Sequence, residues 1–278
     1  MTCPHPGLRL PKPISTAPRH LVGASQANRL LAALPASDLQ RLQEEFEPVS
    51  LRLGDILHEP GCRMDYIYFP ETSLVSLLTV AEDDHALEVG LVGREGVVGV
   101  ALVLGVDVSP MRALVQGGGT AMRMSSQRFS LELRKNRTFG RALDWYAHTL
   151  MMQVAQTAAC NRFHMIEARL ARWLLMIRDR KQSNELHMTH EFLAQMMGVR
   201  RVGVTKAAQA LQQKNLIDYR RGNITITDAA GLEAAACRCY TMVNDLENQA
   251  LESAGRGGRM AEKTVPARRT ANAGTLSR

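Results

Sequence analysis

The stretch THEFLAQMMGVRRVGVTKAAQALQQKNLI, residues 189–217, decides how the rest of the chain is interpreted. Thr189 stands where the first turn of a helix needs a hydroxyl cap. Ala194 is small enough to let two helices approach closely, and Gly198, four residues later, supplies a turn position that tolerates positive φ. Val204 follows after six more residues and would fill the angle between the helices. This spacing predicts a helix-turn-helix.

The second helix of this unit is predicted to begin near Arg200 and to have two chemically different faces. The inward face is apolar and consists of Val204, Ala207, Ala208 and Leu211. The outward face carries Arg201, Val202, Thr205, Lys206 and Gln209. An exposed helix face that combines arginine, threonine, lysine and glutamine side chains suits the major groove of DNA, and Thr189 and Arg200 are predicted to contact DNA with it.

Residues 216–227, LIDYRRGNITIT, alternate like two strands around a Gly222-Asn223 turn. This pattern predicts a wing whose tip presents Arg220 and Arg221 to the phosphate backbone. Residues 189–226 hold six basic and two acidic side chains, within a body (25–251) that is neutral overall. A solvated charge cluster would explain the charge alone. Together with the helix pattern and the wing, it favours double-stranded DNA as the partner.

The region before the helix-turn-helix is predicted to contain a β domain followed by a long helix. Short β segments are predicted at Val49–Leu53, Tyr66–Phe69, Leu74–Val80, Leu87–Val92, Ala113–Gln116 and Ala121–Met124. Their spacing indicates an antiparallel sandwich or roll, so the fold class is α+β. A long helix is then predicted from about Gly140 to Asn161. Every third or fourth residue along it forms a heptad seam: Leu143, Ala147, Leu150, Val154, Thr157 and Asn161.

The seam fits either a core helix or a dimer contact. The DNA-binding unit favours the dimer, because a two-fold axis places two recognition helices one DNA turn apart. The resulting domain prediction is a basic unfolded arm (1–24), a roll (25–135), a dimerisation helix (136–163), a winged helix-turn-helix with a C-terminal helix (164–251) and a basic tail (252–278).

Composition excludes several other classes. The 278 residues contain no apolar run long enough for a membrane span and no secretory apolar region, so a cytoplasmic protein with no membrane partner is expected. Five scattered cysteines predict neither a disulfide framework nor a zinc site. Cys237 and Cys239 fall on a predicted helix that would point their sulfurs apart, so they are interpreted as packing residues.

Other metal and cofactor chemistry is also not expected. The histidines that could bind a metal or haem, His58, His85, His148 and His164, include no pair with ligand spacing. Cys3 alone cannot supply an N-terminal iron–sulfur ligand set. No metal and no cofactor are therefore predicted, and any effector is unknown.

In the order of its parts, the chain resembles the Crp/Fnr family of bacterial transcription regulators over about residues 25–245. The resemblance is strongest in EARLARWLL (167–175) and THEFLAQMMGVRR (189–201). It implies a cyclic-nucleotide-binding-like roll, a dimer helix and a winged helix, with RNA polymerase as a further candidate partner. Arg201 and Lys206 match the family's base- and phosphate-contacting basic positions. Val202 replaces a glutamate of better-known members, so their operator is not expected here.

The resemblance also locates a candidate effector pocket, formed by Glu95, Gly96, Val97, Gly99, Arg112 and Ala113. The family's pocket pairs a Gly-Glu with an Arg-Ser/Thr-Ala, whereas Gly96-Val97 and Met111-Arg112-Ala113 stand here. Glu95 and Arg112 are each one position out of register. Because one residue of slip turns a strand side chain to the other face, cyclic AMP is not expected to bind in the usual way.

Two rival functions remain at this stage. One is a ligand-binding enzyme, although no local catalytic constellation or phosphate loop is present; Gly117-Gly-Gly lacks the helix and lysine that would follow. The other is an interaction module that uses its winged helix for protein contacts. The sequence favours a regulator that is not an enzyme.

Overall fold

The computed structural model describes residues 28–81 and 86–255. The predicted arm, Cys3, His85 and the tail beyond Gly255 lie outside these residues. The described chain is an antiparallel roll, a long helix and a second α+β unit, which confirms the predicted fold class. No helix in the described ranges is both long and apolar enough to cross a lipid bilayer.

The roll begins with two short helices, α1 (Arg29–Ala32) and α2 (Ala36–Gln43). Its strands are β1 (Glu47–Leu51), β2 (Ile56–His58), β3 (Tyr66–Pro70), β4 (Leu74–Val80), β5 (Ala86–Val92), β6 (Arg112–Gly117) and β7 (Gly119–Ser125). One sheet has the order β1-β7-β3 and the other β2-β6-β4-β5, with every pair antiparallel. A short helix, α3 (Val100–Val103), lies between β5 and β6. The six predicted strands are present, and the sequence pattern missed β2, which has only three residues.

Two helices leave the roll, α4 (Ser126–Lys135) and α5 (Arg137–Phe163). The second unit comprises α6 (Ile166–Lys181), β8 (Glu185–His187), α7 (His190–Met197), α8 (Arg201–Gln213), β9 (Ile217–Arg220), β10 (Asn223–Ile226), α9 (Ala229–Ala235) and α10 (Cys239–Gly255). Helix α10 extends four residues into the segment predicted as tail. It returns along α5 and packs against it.

The core of the second unit does not stop at the predicted boundary with the roll. Leu74, Leu78 and Leu91 belong to the same buried cluster as the apolar residues of α6, α7 and α8. The indole N–H of Trp173 in α6 donates a 2.7 Å hydrogen bond to Glu88 of β5. The roll and the second unit are therefore joined by buried contacts in addition to the chain connection.

The predicted seam on α5 is contradicted at Leu143 and Leu150. Leu143 and Leu150 are 0% and 4% exposed and belong to the core of the roll. Thr157 accepts a hydrogen bond from Arg172, and Asn161 accepts one from Arg169. The two leucines are covered by their own chain and cannot meet a second copy, whereas Thr157 and Asn161 are half-buried beside α6. The heptad spacing correctly predicted a buried helix face, but at the two leucines this face packs against the roll of the same chain and not against a second copy.

Helix α5 has a second covered face, which packs against α10. Gln156 donates to the sulfur of Cys239, and Tyr146 lies with Glu247 beside the α1 residue Leu30. The third face remains open: Met151 is 60% exposed, Ala155 and Ala158 are exposed, and the predicted seam residues Ala147 and Val154 are half-buried beside them.

Candidate nucleic-acid interface

The helix-turn-helix is formed by α7 and α8 with the predicted local geometry. The Thr189 hydroxyl accepts a hydrogen bond from the backbone N–H of Phe192 (3.2 Å), so it caps α7 as expected. Gly198 ends that helix in the left-handed region, at φ 61°. Ala194 and Val204 are buried between the two helices. The turn therefore fixes α8 relative to α7 through residues local to the motif.

Helix α8 places its predicted faces as the sequence indicated. Val204, Ala207, Ala208 and Leu211 are buried. Arg201, Val202, Lys206 and Gln209 are exposed, Thr205 is half-buried, and Arg200 is the exposed N-terminal cap residue. Arg201 lies 3.9 Å from Glu191, but both side chains are largely in solvent, so this ion pair holds the guanidinium weakly.

Thr205 is tied to its own domain. Its hydroxyl donates to the carbonyl of Arg201 at 3.1 Å and lies 3.0 Å from Nδ1 of His190. The His190 ring stacks on Tyr219 of the wing with a 4.1 Å centroid separation. Burial, and secondarily the charge of Arg201, lower the pKa of His190, which favours the neutral ring in this stack. The sequence pattern gave no signal for this link between α7, α8 and the wing.

The wing has three strands, in the order β8-β10-β9. Asn223 pairs with Arg220, so the turn residues are Arg221 and Gly222. The predicted Gly222-Asn223 turn is thus wrong by one residue. Both turn residues have positive φ (49° and 85°), as a two-residue hairpin of this kind requires. Arg220 and Arg221 are exposed at the tip, and Arg220 pairs with Asp218 at 3.1 Å.

The candidate effector residues take part in other contacts. Glu95 accepts a 2.8 Å bond from Arg180, which also binds Glu247 of α10. Arg112 instead pairs with Glu59 at 2.9 Å. The two charged residues of the predicted pocket therefore have separate partners.

The apolar part of the candidate pocket is filled from α5. A Cβ on Gly96 would lie 2.0 Å from the ring of Tyr146, so that ring occupies the space next to this glycine. Val97 and Ala113 are buried, and Gly99 begins α3 with φ 107°. Tyr146 is a residue that the sequence pattern did not select, because only the tertiary packing brings α5 over this loop.

Two buried carboxyls have raised pKa values. Burial raises the pKa of Glu247 to about 7, although Arg180 opposes the shift. Burial also raises the pKa of Glu88 to about 7, with the Ser76 and Trp173 hydrogen bonds acting in the opposite direction. Ser76 has one hydroxyl proton and lies 2.6 Å from Gln116 Oε1 and 2.7 Å from Glu88. A protonated Glu88 that donates to Ser76 satisfies both contacts.

Four side chains that the sequence spacing did not group together form a candidate metal-ligand set. Potential ligand atoms of Cys160, His164, Cys237 and Cys239, here called the cysteine–histidine cluster, all lie within 4.8 Å of one another. Helix α9 ends at Ala235 and α10 begins at Cys239, so Cys237 lies in a loop. The helical geometry that would have separated the two sulfurs is therefore absent.

Comparison with known proteins agrees with this architecture. Residues 168–235 match the family model of the Crp-like helix-turn-helix domain. The sequence has no match among the curated proteins.

Several solved structures share the fold. A protein of Eubacterium rectale assigned to the Crp/Fnr family of transcriptional regulators is 15% identical, with a TM-score of 0.59 over 74% of this chain and 96% of its own. A Crp/Fnr-family transcriptional regulator of Thermus thermophilus is 22% identical, with a TM-score of 0.55 over 68% and 98%. The c-di-GMP-responsive global regulator CLP of Xanthomonas campestris is 17% identical, with a TM-score of 0.56 over 69% and 99%. The chain thus carries a Crp-like helix-turn-helix domain within the fold of the Crp/Fnr transcription regulators.

Proposed function

We propose that the protein is a homodimeric, sequence-specific DNA-binding transcription regulator of the Crp/Fnr type and is not an enzyme. The observation that carries the proposal is the outer face of α8. The inward face of this helix is apolar and buried, whereas Arg201, Val202, Lys206 and Gln209 are exposed to solvent. A helix held in this way can enter a major groove without rearranging its own domain.

The exposed side chains have distinct roles in this proposal. Arg201 lies in the first turn of α8 and is long enough for a bidentate contact with guanine. Val202 is 58% exposed and cannot accept a hydrogen bond, so it suits a thymine methyl group. Arg200 and Lys206 flank these two positions, and Arg220 and Arg221 extend the basic surface along the wing toward phosphate.

The second copy is assigned to the open face of α5. Ala147, Met151, Val154 and Ala158 follow one another at steps of four, three and four residues along that face. Alanines at two of these positions allow close approach of two helices, and Met151 provides an exposed apolar side chain to bury. This seam shares Ala147 and Val154 with the predicted one, but it passes through Met151 and Ala158 and is rotated by about 50° around the helix.

The roll of this regulator does not bind cyclic AMP in the family's usual way. Glu95 is committed to Arg180, Arg112 to Glu59, and the ring of Tyr146 fills the space beside Gly96. A ligand that needed these carboxylate and guanidinium groups would first have to break the buried Glu95–Arg180 pair and the partly buried Arg112–Glu59 pair.

The test begins with duplexes selected from a random pool by the purified protein. Binding of a selected duplex is then measured by fluorescence anisotropy at several salt concentrations. A variant with both Arg201→Ala and Lys206→Ala should bind the selected duplex at least about tenfold more weakly, because it loses one base contact and one phosphate contact per half-site.

Arg52→Ala on the roll is the matched control, because it removes an exposed arginine far from α8 in sequence. It should change the affinity by less than about twofold. The DNA-binding proposal fails if no duplex is enriched, or if the double variant and the control bind alike. Turnover of a substrate that survives in the double variant would instead favour an enzyme.

A further inference from the structure

The cysteine–histidine cluster is the strongest unexplained group of side chains in the described chain. Cys160 lies in the last turn of α5, and His164 follows four residues later, where the helix ends. Cys237 and Cys239 come from the loop before α10 and from its first residue. The three cysteines are buried, whereas His164 is accessible to solvent. Four side chains from two distant segments thus converge at one point.

The distances within the cluster match those of ligands around one small ion. The sulfurs of Cys160 and Cys237 are 3.5 Å apart, and the sulfur of Cys239 is 3.4 Å from Nδ1 of His164. Around a tetrahedral zinc ion, two thiolate sulfurs are about 3.8 Å apart, and a sulfur and an imidazole nitrogen about 3.5 Å. A cluster of several irons would hold its ligand atoms further apart, so a single ion fits this site best.

The surroundings also suit a metal thiolate centre. Gln156 donates an N–H bond of 2.9 Å to the sulfur of Cys239, the kind of outer contact that orients a ligand. Three thiolates, one imidazole and Zn²⁺ carry a net charge of −1. The guanidinium groups of Arg169 and Arg172 interact electrostatically with this centre and offset that charge. The Nε of Arg172 is buried without a hydrogen-bond partner.

We propose that Cys160, His164, Cys237 and Cys239 bind one zinc ion with a closed Cys₃His ligand set. Thiolate and imidazole ligands favour zinc over magnesium or calcium, and four protein ligands leave no open position for catalysis. The ion clamps the start of α10 to the end of α5. Because His164 connects α5 to α6, bound zinc also fixes the joint between the long helix and the DNA-binding unit. This inference is independent of the proposed DNA-binding function.

The test uses the full-length chain, reduced and freed of metal, then supplied with Zn²⁺ or Co²⁺. We expect one zinc ion per chain by elemental analysis after dialysis. Cobalt should give the visible absorption bands of a tetrahedral ion with thiolate ligands. Zinc should also raise the melting temperature, because it binds the folded chain and the unfolded chain lacks the assembled site.

Two ligand variants and one control locate the ion. Cys237→Ser changes a loop residue, and His164→Ala changes the ligand that is accessible to solvent, so both should fold. Each should weaken zinc binding at least about 100-fold, because the binding free energy is shared among four ligands. His148→Ala removes an exposed histidine from the same helix, about three turns before Cys160, and should bind zinc as the unaltered chain does.

Three outcomes would overturn the proposal. The unaltered chain would retain no zinc, the cobalt spectrum would lack thiolate bands, or Cys237→Ser and His164→Ala would bind zinc as tightly as His148→Ala. Ready formation of a Cys160–Cys237 disulfide in a chain that retains no zinc would identify the cluster as a thiol pair instead.

Discussion

Helices α5 and α8 are both amphipathic, but they are covered in different ways. Helix α8 has one buried face, and its opposite side is exposed to solvent. Helix α5 has two buried faces, one against the roll and one against α10, and only the remaining third is open. On a helix with one covered face, the exposed residues can be found from periodicity. On a helix with two covered faces, the exposed residues can be found only when the elements that cover both faces are known.

The largest effect is expected for a substitution on the buried side of α5. Leu150→Lys should lower the free energy of unfolding by about 3–5 kcal/mol, because it places a charge in the core of the roll. Its neighbour Met151→Lys should leave the fold intact and favour monomers, since like charges would meet across the open face. Urea denaturation measures the first effect, and analytical ultracentrifugation measures the second. A Leu150→Lys variant that is stable and monomeric would contradict this assignment and support a dimer seam through Leu143 and Leu150.

The next effect concerns the buried contact between the roll and α6. The pKa of Glu88 is about 7 in the folded chain, above its ordinary value of 4.5. The folded state therefore binds this proton more tightly, so its contribution to stability is full below about pH 4.5 and is lost as the pH rises through 7. Replacement of Glu88 by glutamine should remove this loss of stability, which is about 3 kcal/mol for a pKa that moves from 4.5 to about 7.

Urea unfolding of Glu88→Gln and of the unaltered chain at several pH values between 5 and 8 measures the difference. A glutamine can still donate to Ser76 and accept from Trp173, so stability near pH 5 should change little. Glu247 contributes a remaining dependence in the same direction. Parallel pH profiles for the two proteins would contradict the assignment.

On the open side of α8, Arg201→Ala should cost ~1–3 kcal/mol of binding to a matched duplex. Selectivity should be relaxed at one base pair of each half-site, because the arginine is expected to read a base edge. Binding to duplexes that carry each substitution at that position measures the effect. An equal loss on matched and scrambled DNA would place Arg201 on phosphate.

Arg220→Ala at the wing tip should have a smaller and less specific effect. It should weaken matched and scrambled duplexes alike and reduce the salt dependence by about one unit for each phosphate that is no longer neutralised. The measurement is the slope of log affinity against log salt for both duplexes. If only the matched duplex were affected, the wing would be reading bases.

The smallest expected effect is the response to cyclic AMP. Because the Tyr146 ring from α5 fills the space beside Gly96, millimolar cyclic AMP or cyclic GMP should leave the melting temperature unchanged. A ligand at ~100 times its dissociation constant would add ~2.7 kcal/mol and shift the melting curve visibly. A clear upward shift would show that α5 can withdraw Tyr146 from the roll.

Local patterns predicted much of the molecule. The cap at Thr189, the left-handed turn at Gly198 and the buried face of α8 are set by residues within one short segment, so their spacing was sufficient. Six of the seven strands of the roll were likewise predicted from short β segments separated by turn residues. The predicted position of the wing turn was wrong by one residue, because Arg221 adopts positive φ although it is not a glycine.

The mismatch in the effector pocket was visible only by comparison with the Crp/Fnr family. The order of elements and the exposed face of α8, in contrast, followed from the amino-acid sequence alone. They depend on contacts between residues close in the chain or on which residue types are present. Packing in three dimensions established which faces of α5 are covered, that Tyr146 lies against Gly96, and that Cys160 and His164 meet Cys237 and Cys239. Helical periodicity in a sequence indicates that one face of the helix is buried, but it does not show which element covers that face. The return of α10 along α5, which joins residues about eighty positions apart, left no local signal.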